Sequence, residues 1–293
     1  MKARWLPFAI LAALLSTGAA QVQTAGDSRI GWQRLVFRSG NLLTRFSAAL
    51  EVTRGPDSLL AELRTELSPI LLTPRRSLVQ TWFDDADGGV LRRVTRTWAP
   101  RPDEKVYRFT QEGVSRTRLE PLRGEAGLPT SRWSQVRESF IPFHARDLGC
   151  EVVSDAAALL YRASQLEAPG DAARLRACVF DGKTLYRLEI EPGETRTLPV
   201  GYEVLAAGGE RRSPSTSRAR HFTVRALPIA GEMEPYPTPV EIFLDEESGL
   251  PVRASLAVGD FGTIVDVDLA EIVESGTAPP AAREAFDPPA LPH

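Results

Sequence analysis

Few residues in this sequence have the types and spacings that carry out chemistry. His144 and His221 are far apart along the chain, and His293 lies among its last residues. The sequence contains no spacing typical of a zinc site, a serine nucleophile elbow, a phosphate-binding loop or a dinucleotide-binding turn. It therefore predicts no catalytic residue, no metal site and no cofactor.

Acidic residues cluster at three places. The run Asp84–Gly89 has the carboxylates that calcium prefers, but it lacks the full twelve-residue loop and its final Glu, so it predicts a hairpin turn. Asp245–Glu247 also reads as a turn, and Asp266 with Asp268 as the polar side of a strand. Paired carboxylates can do acid–base work, and that alternative stays open for the last two.

Two further sets of side chains are compatible with binding. Arginines in the polar stretch from Gly208 to Arg220 could dock an anion, although a solvated loop fits as well. Tryptophans could line a cavity, although ordinary core positions fit as well. The arginines are Arg211, Arg212, Arg218 and Arg220, and the tryptophans are Trp32, Trp82, Trp98 and Trp133.

The N-terminus predicts export. Lys2 and Arg4 form a positive region, residues 6–15 are apolar, and small residues precede Gln21. This three-part pattern is typical of a secretory signal peptide covering residues 1–20, although an uncleaved anchor has a similar pattern. No later segment is long and apolar enough to cross a membrane as a helix. We therefore expect a periplasmic or secreted protein of a bacterial envelope.

Charge and cysteine content narrow the function further. Removal of residues 1–20 would take away Lys2 and Arg4 and no acidic residue, so the net charge of −3 would become −5. A mildly acidic chain argues against nucleic-acid binding. In an oxidising compartment, Cys150 and Cys178 are expected to form a disulfide, the alternative being two separate buried thiols.

Apolar residues recur mainly at every second position, which predicts half-buried antiparallel strands. Besides the turn at Asp84–Gly89, Asp181–Gly182 and Ser248–Gly249 are predicted hairpin turns. The predicted strands are 45–53, 59–67, 78–83, 90–98, 106–111, 114–119, 176–180, 184–190, 200–206, 222–227, 240–244, 252–258 and 261–269. In 45–53 and 59–67, this alternation places one set of apolar side chains on a single face, across a hairpin turn at residues 55–57. We predict that this face is the lining of an apolar cavity, while a packed core would give the same pattern. The predicted lining residues are Phe46, Leu50, Val52, Leu59 and Leu63.

One segment has helical spacing instead. Residues 155–167 place Leu159, Leu160, Ala163 and Leu166 on one stripe, with Ser154 as the expected N-cap. The predicted fold is mainly β with one packed helix: an antiparallel, strongly curved sheet or open barrel that cups a central helix. We expect one β-rich domain over 21–274 and a disordered Pro-rich tail over 275–293.

Three stretches resemble an uncharacterised bacterial envelope family, the domain of unknown function 3108. They are Ser154–Arg162, Val179–Tyr186 and Glu241–Arg253, within a region of about 151–272. The family is similar in architecture to periplasmic lipoprotein carriers and other half-open barrels that cup a helix. The resemblance therefore implies an apolar cavity, and it implies no reaction.

Two functions follow from these observations, and an enzyme is disfavoured. The first is a non-catalytic envelope protein that binds or carries an apolar, lipid-like molecule. The second is a periplasmic scaffold with a filled core, whose partner is another envelope protein. A bound apolar ligand in the purified protein would separate the first from the second.

The signal peptide gives the first testable prediction. Because small residues occupy Gly18 and Ala20, cleavage is expected before Gln21. N-terminal sequencing of material from the periplasm should read Gln-Val-Gln. Recovery of the chain with Met1 intact in a membrane fraction would contradict it.

Overall fold

The fold comes from a computed structural model, which describes residues 31–39, 44–55, 57–69, 73–98, 102–155, 157–159, 161, 177–232, 239–258 and 263–276. Residues 1–30 and 277–293, with the predicted signal and most of the tail, lie outside this range. Besides one short 3-10 helix, Thr130–Arg132, and helical residues 157–159 and 161, the described elements are strands of one sheet. The strands are β1 (Trp32–Arg38), β2 (Thr44–Arg54), β3 (Leu59–Pro69), β4 (Arg75–Phe83), β5 (Val90–Thr97), β6 (Asp103–Thr110), β7 (Gly113–Glu120), β8 (Gln135–Pro142), β9 (Val152–Ser154), β10 (Ala177–Phe180), β11 (Thr184–Pro199), β12 (Glu203–Leu205), β13 (Arg211–Arg212), β14 (Thr216–Gly231), β15 (Val240–Asp245), β16 (Pro251–Val258) and β17 (Thr263–Glu274).

Strand β1 joins two halves of the sheet. On one side, β1 pairs with β2, and β2 to β8 follow as antiparallel neighbours. On the other side, β1 pairs with the last strand, β17, and the order continues through β16, β15, β14, β11 and β10 to β9. The short strand β12 pairs with β17 in parallel and with β13. The prediction of a mainly β fold is confirmed. Most of the pairings are antiparallel as predicted, but β9–β10 and β12–β17 are parallel, so the sheet is mixed.

The sheet curls until its two ends touch. Strands β5 and β10 are separated by many strands in the sheet, yet the Arg93 side chain donates a hydrogen bond to the Phe180 carbonyl. The rings of Tyr107 and Phe180 also meet, 6.0 Å apart. Among the described strands, no hydrogen-bonded pairing joins β8 to β9. The sheet is therefore strongly curved and not closed.

The face that points inward carries the core. A large cluster collects apolar side chains from β1 to β5, from β14 to β17 and from the helical residues 157–159. A smaller cluster lies where the two ends of the sheet meet, and it contains Tyr107, Val114, Phe180 and both cysteines. This inward side is called the inner face below.

The start of the predicted helix is present, but its cap differs from our prediction. Asp155, not Ser154, caps it: the Asp155 carboxylate accepts hydrogen bonds from the amides of Ala157 and Ala158. Ser154 instead donates to the carbonyl of Gly88 in the turn before β5. Ser154 is the last residue of β9, and its hydroxyl is used in this bond to the turn instead of capping the helix.

Only part of the predicted helical stripe can be compared with the structure. Leu159 is buried in the large cluster. Leu160, Ala163 and Leu166 lie outside the described residues. The helix start packs on the inner face, and the finer prediction of a central helix cupped by the sheet stays a prediction.

Several strands differ from the predicted ones. The predicted strands 184–190 and 222–227 extend to sixteen residues each in β11 and β14, because the two strands pair along nearly their whole lengths with an irregularity near Pro192. The predicted polar loop from Gly208 to Arg220 contains β13 and the start of β14. Within the described part of the chain, no helix is long and apolar enough to cross a membrane.

The predicted disulfide is confirmed. The Cys150 and Cys178 sulfurs are bonded, both residues are almost fully buried, and their sequence separation is 28. The bond links the segment before β9 to β10, beside the contact between the two sheet ends.

Removing this bond should lower stability. A closed loop of this length stabilises a fold by about 3–4 kcal/mol on the chain-entropy estimate. The double variant Cys150→Ala/Cys178→Ala should lose a free energy of unfolding of that order in chemical denaturation. Alkylation of the unreduced native protein should label neither cysteine, and quantitative labelling of both would contradict the bond.

Candidate functional site

The five predicted lining residues lie together on the inner face. Leu50 of β2 is opposite Leu63 of β3, and both are buried in the large cluster with Phe46, Val52 and Leu59. Leu50 is also opposite Leu35 of β1, so the apolar surface continues beyond the predicted hairpin. Burial of this kind fits a cavity lining and a packed core alike, and the lining assignment stays a prediction.

The same face changes character across the sheet. Directly opposite residues in an antiparallel sheet point to the same side, so a row of paired positions can be followed from strand to strand. The row is apolar at one end, carries a hydroxyl in the middle and is cationic at the other end. Its members are Leu35, Leu50, Leu63, Val79, Thr95, Lys105, Arg118 and Arg137, one from each of β1 to β8.

Exposure rises along this row as well. Leu35 and Leu50 are buried, whereas the side chains of Lys105, Arg118 and Arg137 are 24%, 34% and 64% exposed. A neighbouring row repeats the trend from Ala61 through Thr81, Arg93 and Tyr107 to Arg116 and Ser139. The inner face is thus amphipathic along the sheet, with an apolar section on β1 to β3 and a charged section on β6 to β8.

The charged section has more cations than carboxylates. The buried Asp103 carboxylate lies 2.9 Å from the Lys105 ammonium and 2.9 Å from the Arg118 guanidinium. Glu120 lies 2.9 Å from Arg118 and 3.9 Å from Arg137. Three cations therefore share two carboxylates. The neighbouring Arg116 donates to neutral groups, Ser139 Oγ at 3.1 Å and the Gly182 carbonyl at 3.4 Å.

Arg93 is the most deeply buried cation in this region. Its side chain donates to the Phe180 carbonyl at 2.7 Å, and its guanidinium carbon lies 4.4 Å from the Tyr107 ring centre and 5.6 Å from that of Phe180. Its Nε has no hydrogen-bond partner among the described atoms. The aromatic faces offset part of the desolvation of the charge, because their quadrupoles attract cations.

The Asp181–Gly182 turn closes over this cation. The Asp181 carboxylate accepts hydrogen bonds from the amides of Lys183 and Thr184, which fixes the predicted hairpin turn. Gly182 has φ +113°, and a Cβ there would lie 2.7 Å from the Tyr107 hydroxyl. Only glycine combines that backbone conformation with so close an approach.

Hydroxyl groups are buried between the apolar and charged sections. Thr65 and Ser77 share a hydrogen bond of 2.6 Å. Thr81 donates to the Asp155 carboxylate, the same carboxylate that caps the helix. The hydroxyls of Thr65, Ser77 and Thr81 therefore all have hydrogen-bond partners, which offsets the cost of burying them.

The other acidic residues flagged in the sequence act mainly as turn caps and ion-pair partners. In the confirmed turn after β4, Asp84 and Asp87 accept the amides of Ala86 and Gly89. The Asp85 carboxylate raises the pKa of Arg54, with the Tyr161 hydroxyl contributing next. Asp245 likewise caps its own turn. In the described part of the chain, no group of three or more possible metal ligands is present.

Asp266 and Asp268 lie on the outer side of β17. Asp266 accepts from Ser255 and Asp268 from Arg253, both on β16. The two carboxylates therefore have polar partners on the neighbouring strand, a serine hydroxyl and a guanidinium.

The predicted arginine cluster is divided among internal ion pairs. Arg211 pairs with Glu203, Arg212 with Glu274, and both Arg218 and Arg220 with Glu246. The interpretation of this stretch as a solvated loop is wrong, because pairing with β11, β12 and β15 turns much of it into strand. Because all four arginines have carboxylate partners, the prediction that this stretch docks an anion is not supported.

The tryptophans divide in a similar way. Trp32 is buried in the large cluster, whereas Trp82 lies on the outer face beneath Arg92, 4.9 Å from the ring centre. Trp133 donates to the Leu128 carbonyl in the loop before β8. Of the tryptophans considered in the sequence, Trp32 is the one that belongs to the large inner-face cluster.

Three further polar side chains, His221, Glu125 and Tyr202, are held in local networks. His221 pairs with Glu241 and stacks on Phe243, with ring centres 4.9 Å apart. Hydrogen bonds from Ser134, and then from the Leu122 amide, lower the pKa of Glu125. Burial raises the pKa of Tyr202, with nearby Asp245 adding to it.

Comparisons with known proteins identify no family for this chain. No family model matches it, and no curated protein matches it either, so the resemblance to the domain of unknown function 3108 is not confirmed. Among solved structures, it is similar to a beta-barrel-like protein of domain of unknown function DUF1849 from Brucella abortus. The TM-score is 0.45 at 10% identity, over 83% of this chain and 98% of that chain. A likeness at this level supports no conclusion about ligand or activity.

Arg93 should be sensitive to a change that keeps its charge. Lysine cannot stack flat on the rings or keep the directed bond to the Phe180 carbonyl. We expect Arg93→Lys to lower the free energy of unfolding by about 1–3 kcal/mol. The matched control is Arg108→Lys, at an exposed position of β6. Equal denaturation midpoints for the two variants would contradict the assigned role of Arg93.

Proposed function

We propose that this chain is an exported envelope protein that binds an amphiphilic, lipid-like molecule on the inner face of its sheet and does not change it chemically. The observation that carries the proposal is the row from Leu35 to Arg137. It joins an apolar surface to a charged one on the same side of the same sheet.

An amphiphile matches such a surface in both parts. Its apolar chain would leave water and pack against the section around Leu50 and Leu63, which is favourable in proportion to the apolar area that the chain buries. Its polar end would lie near the more exposed residues of β6 to β8. Four strand spacings of about 4.8 Å separate Leu63 from Arg118, roughly 19 Å along the sheet, on the scale of an acyl chain.

The location and the lack of catalysis are part of the proposal. The signal pattern of residues 1–20 supports export, and the Cys150–Cys178 bond is typical of an oxidising compartment such as the periplasm. The carboxylates considered for acid–base work cap turns or pair with polar neighbours, which supports a binding role more than hydrolysis.

Enlarging one inner-face residue tests for bound ligand. Ala48 is buried on β2, opposite Thr65, and Ala49 points to the other side of the same strand. If the inner face is open to an apolar molecule, Ala48→Phe should lower the affinity for an apolar fluorescent probe about tenfold, a change of about 1.4 kcal/mol in binding free energy. The matched control, Ala49→Phe, should bind as the wild type does.

The stability of the same pair separates an open face from a filled core. Ala48→Phe should cost little in an open cavity, but overpacking a filled core should cost about 1–3 kcal/mol. A large loss of stability, together with no probe binding by the wild type and no lipid in mass spectra of extracted protein, would contradict the proposal.

A specific observation favours a second candidate, a scaffold that acts through strand β8. Among the described strands, β8 pairs only with β7, and its Val136 and Phe140 side chains are 52% and 51% exposed. An antiparallel pair of β8 strands from two copies, centred on Glu138, would place Val136 of one copy opposite Phe140 of the other. Edge strands with exposed apolar side chains are templates for such pairing.

Self-association tests this candidate. The two Glu138 side chains would be opposed across the pair, and like charges directly opposite each other are destabilising, so Glu138→Gln should tighten the dimer. Sedimentation should show a dimer that Val136→Lys/Phe140→Lys abolishes and that Leu91→Lys, at an exposed position of β5, leaves intact. A monomer at every concentration would exclude the β8 pair.

A further inference from the structure

We infer that the charged section of the inner face, formed by Lys105, Arg118 and Arg137, receives an anionic head group, a phosphate or carboxylate at the end of an acyl chain. This inference rests on the proposed function and narrows its ligand to anionic amphiphiles. It starts from a contrast in charge, because the whole chain has a formal net charge of −3 whereas this surface has more cations than carboxylates.

The ion pairs leave room for a further acceptor. Asp103 is buried between Lys105 and Arg118, and one carboxylate cannot satisfy all of their N–H groups. The Arg137 guanidinium is held only loosely, 3.9 Å from Glu120, and is largely exposed. A guanidinium offers paired N–H donors that match phosphate and carboxylate oxygens, which favours an anion over a neutral polar head.

The position of the cations supports the same ligand. Lys105 and Arg118 lie on the row that leads through Thr95 and Val79 to Leu63, so an anion bound there is in line with the apolar section. Asp103 holds the two cations in place, since its carboxylate is almost fully buried beneath them. Cations so positioned need little rearrangement on binding, which lowers the entropy cost of capturing the head group.

Two amphiphiles with the same tail and different heads test the inference. Binding of dodecyl phosphate and dodecyl maltoside, each below its micelle-forming concentration, should be measured on the full mature chain by calorimetry. The wild type should bind the phosphate about tenfold tighter, a difference of about 1.4 kcal/mol. The preference should shrink as salt rises, because partly exposed charges are screened.

Variants assign this preference to the named residues. Arg118→Gln/Arg137→Gln should bring the two affinities close together, and Arg137→Gln alone should go part of the way. Arg108→Gln, on the opposite face of β6, should keep the wild-type preference, because opposite faces alternate along a strand. Thermal melts with near-equal midpoints would show that each variant is folded.

The outcomes distinguish failure of the head-group site from failure of the proposed carrier function. Equal binding of both amphiphiles by the wild type, or a preference that survives Arg118→Gln/Arg137→Gln, overturns the head-group site and leaves the carrier standing. No binding of either amphiphile refutes the carrier itself. Inorganic phosphate that binds as tightly as dodecyl phosphate overturns the amphiphile and identifies a site for free phosphate.

Discussion

The structure depends on the curl that brings the inner face of β5 to β7 against β10. A long β-sheet can adopt a range of curvatures. In this protein the curvature is fixed where the Arg93 side chain contacts the Phe180 carbonyl and the surrounding aromatic rings. The disulfide of Cys150 and Cys178 lies beside this contact. Together, the Arg93 contact and the disulfide determine how far the inner face is shielded from water, and therefore how deeply its apolar section is buried.

The curl also explains why polar groups occur inside. Thr81 bonds Asp155, and Asp155 in turn caps the helix, so a strand, a loop and a helix meet at one buried carboxylate. A core made only of Leu and Val would pack in many ways, whereas directed bonds of this kind are satisfied in few arrangements. The hydroxyls between the apolar and charged sections therefore help to define the geometry of the inner face.

Much of the fold follows from alternation, and the departures have physical causes. The hairpin β2–β3 was predictable because one of its faces is polar, and β10–β11 and β15–β16 were predictable because Asp181–Gly182 and Ser248–Gly249 mark their turns. Strand β1 was missed because Leu35, Val36 and Phe37 are all buried, so a strand in the middle of the sheet shows no alternation. Strand β8 was missed for the opposite reason, since most of its side chains are at least partly exposed.

The apolar face of β2 and β3 was predicted from the sequence alone, but the charged section was not. A register shift between Trp82 and Phe83 changes which residues of β5 point inward, so Arg93 takes the place opposite Thr81 that alternation from Val90 gives to Arg92. The row of Lys105, Arg118 and Arg137 exists only through the pairing of three strands, β6 to β8, and no single strand shows it. Ion pairs such as Arg212 with Glu274 likewise join residues that are far apart in the chain.

The position of β1 between β2 and β17 has a consequence for how the chain reaches its native state. The first described strand completes its pairing only with the last one, so the sheet cannot be finished until nearly the whole polypeptide is available. Contacts between residues so distant in sequence form slowly, because the entropy of closing the intervening loop must be overcome first. Late closure of this kind would suit the export that we propose, because a chain that stays unfolded until its C-terminal strand is available can pass through a membrane.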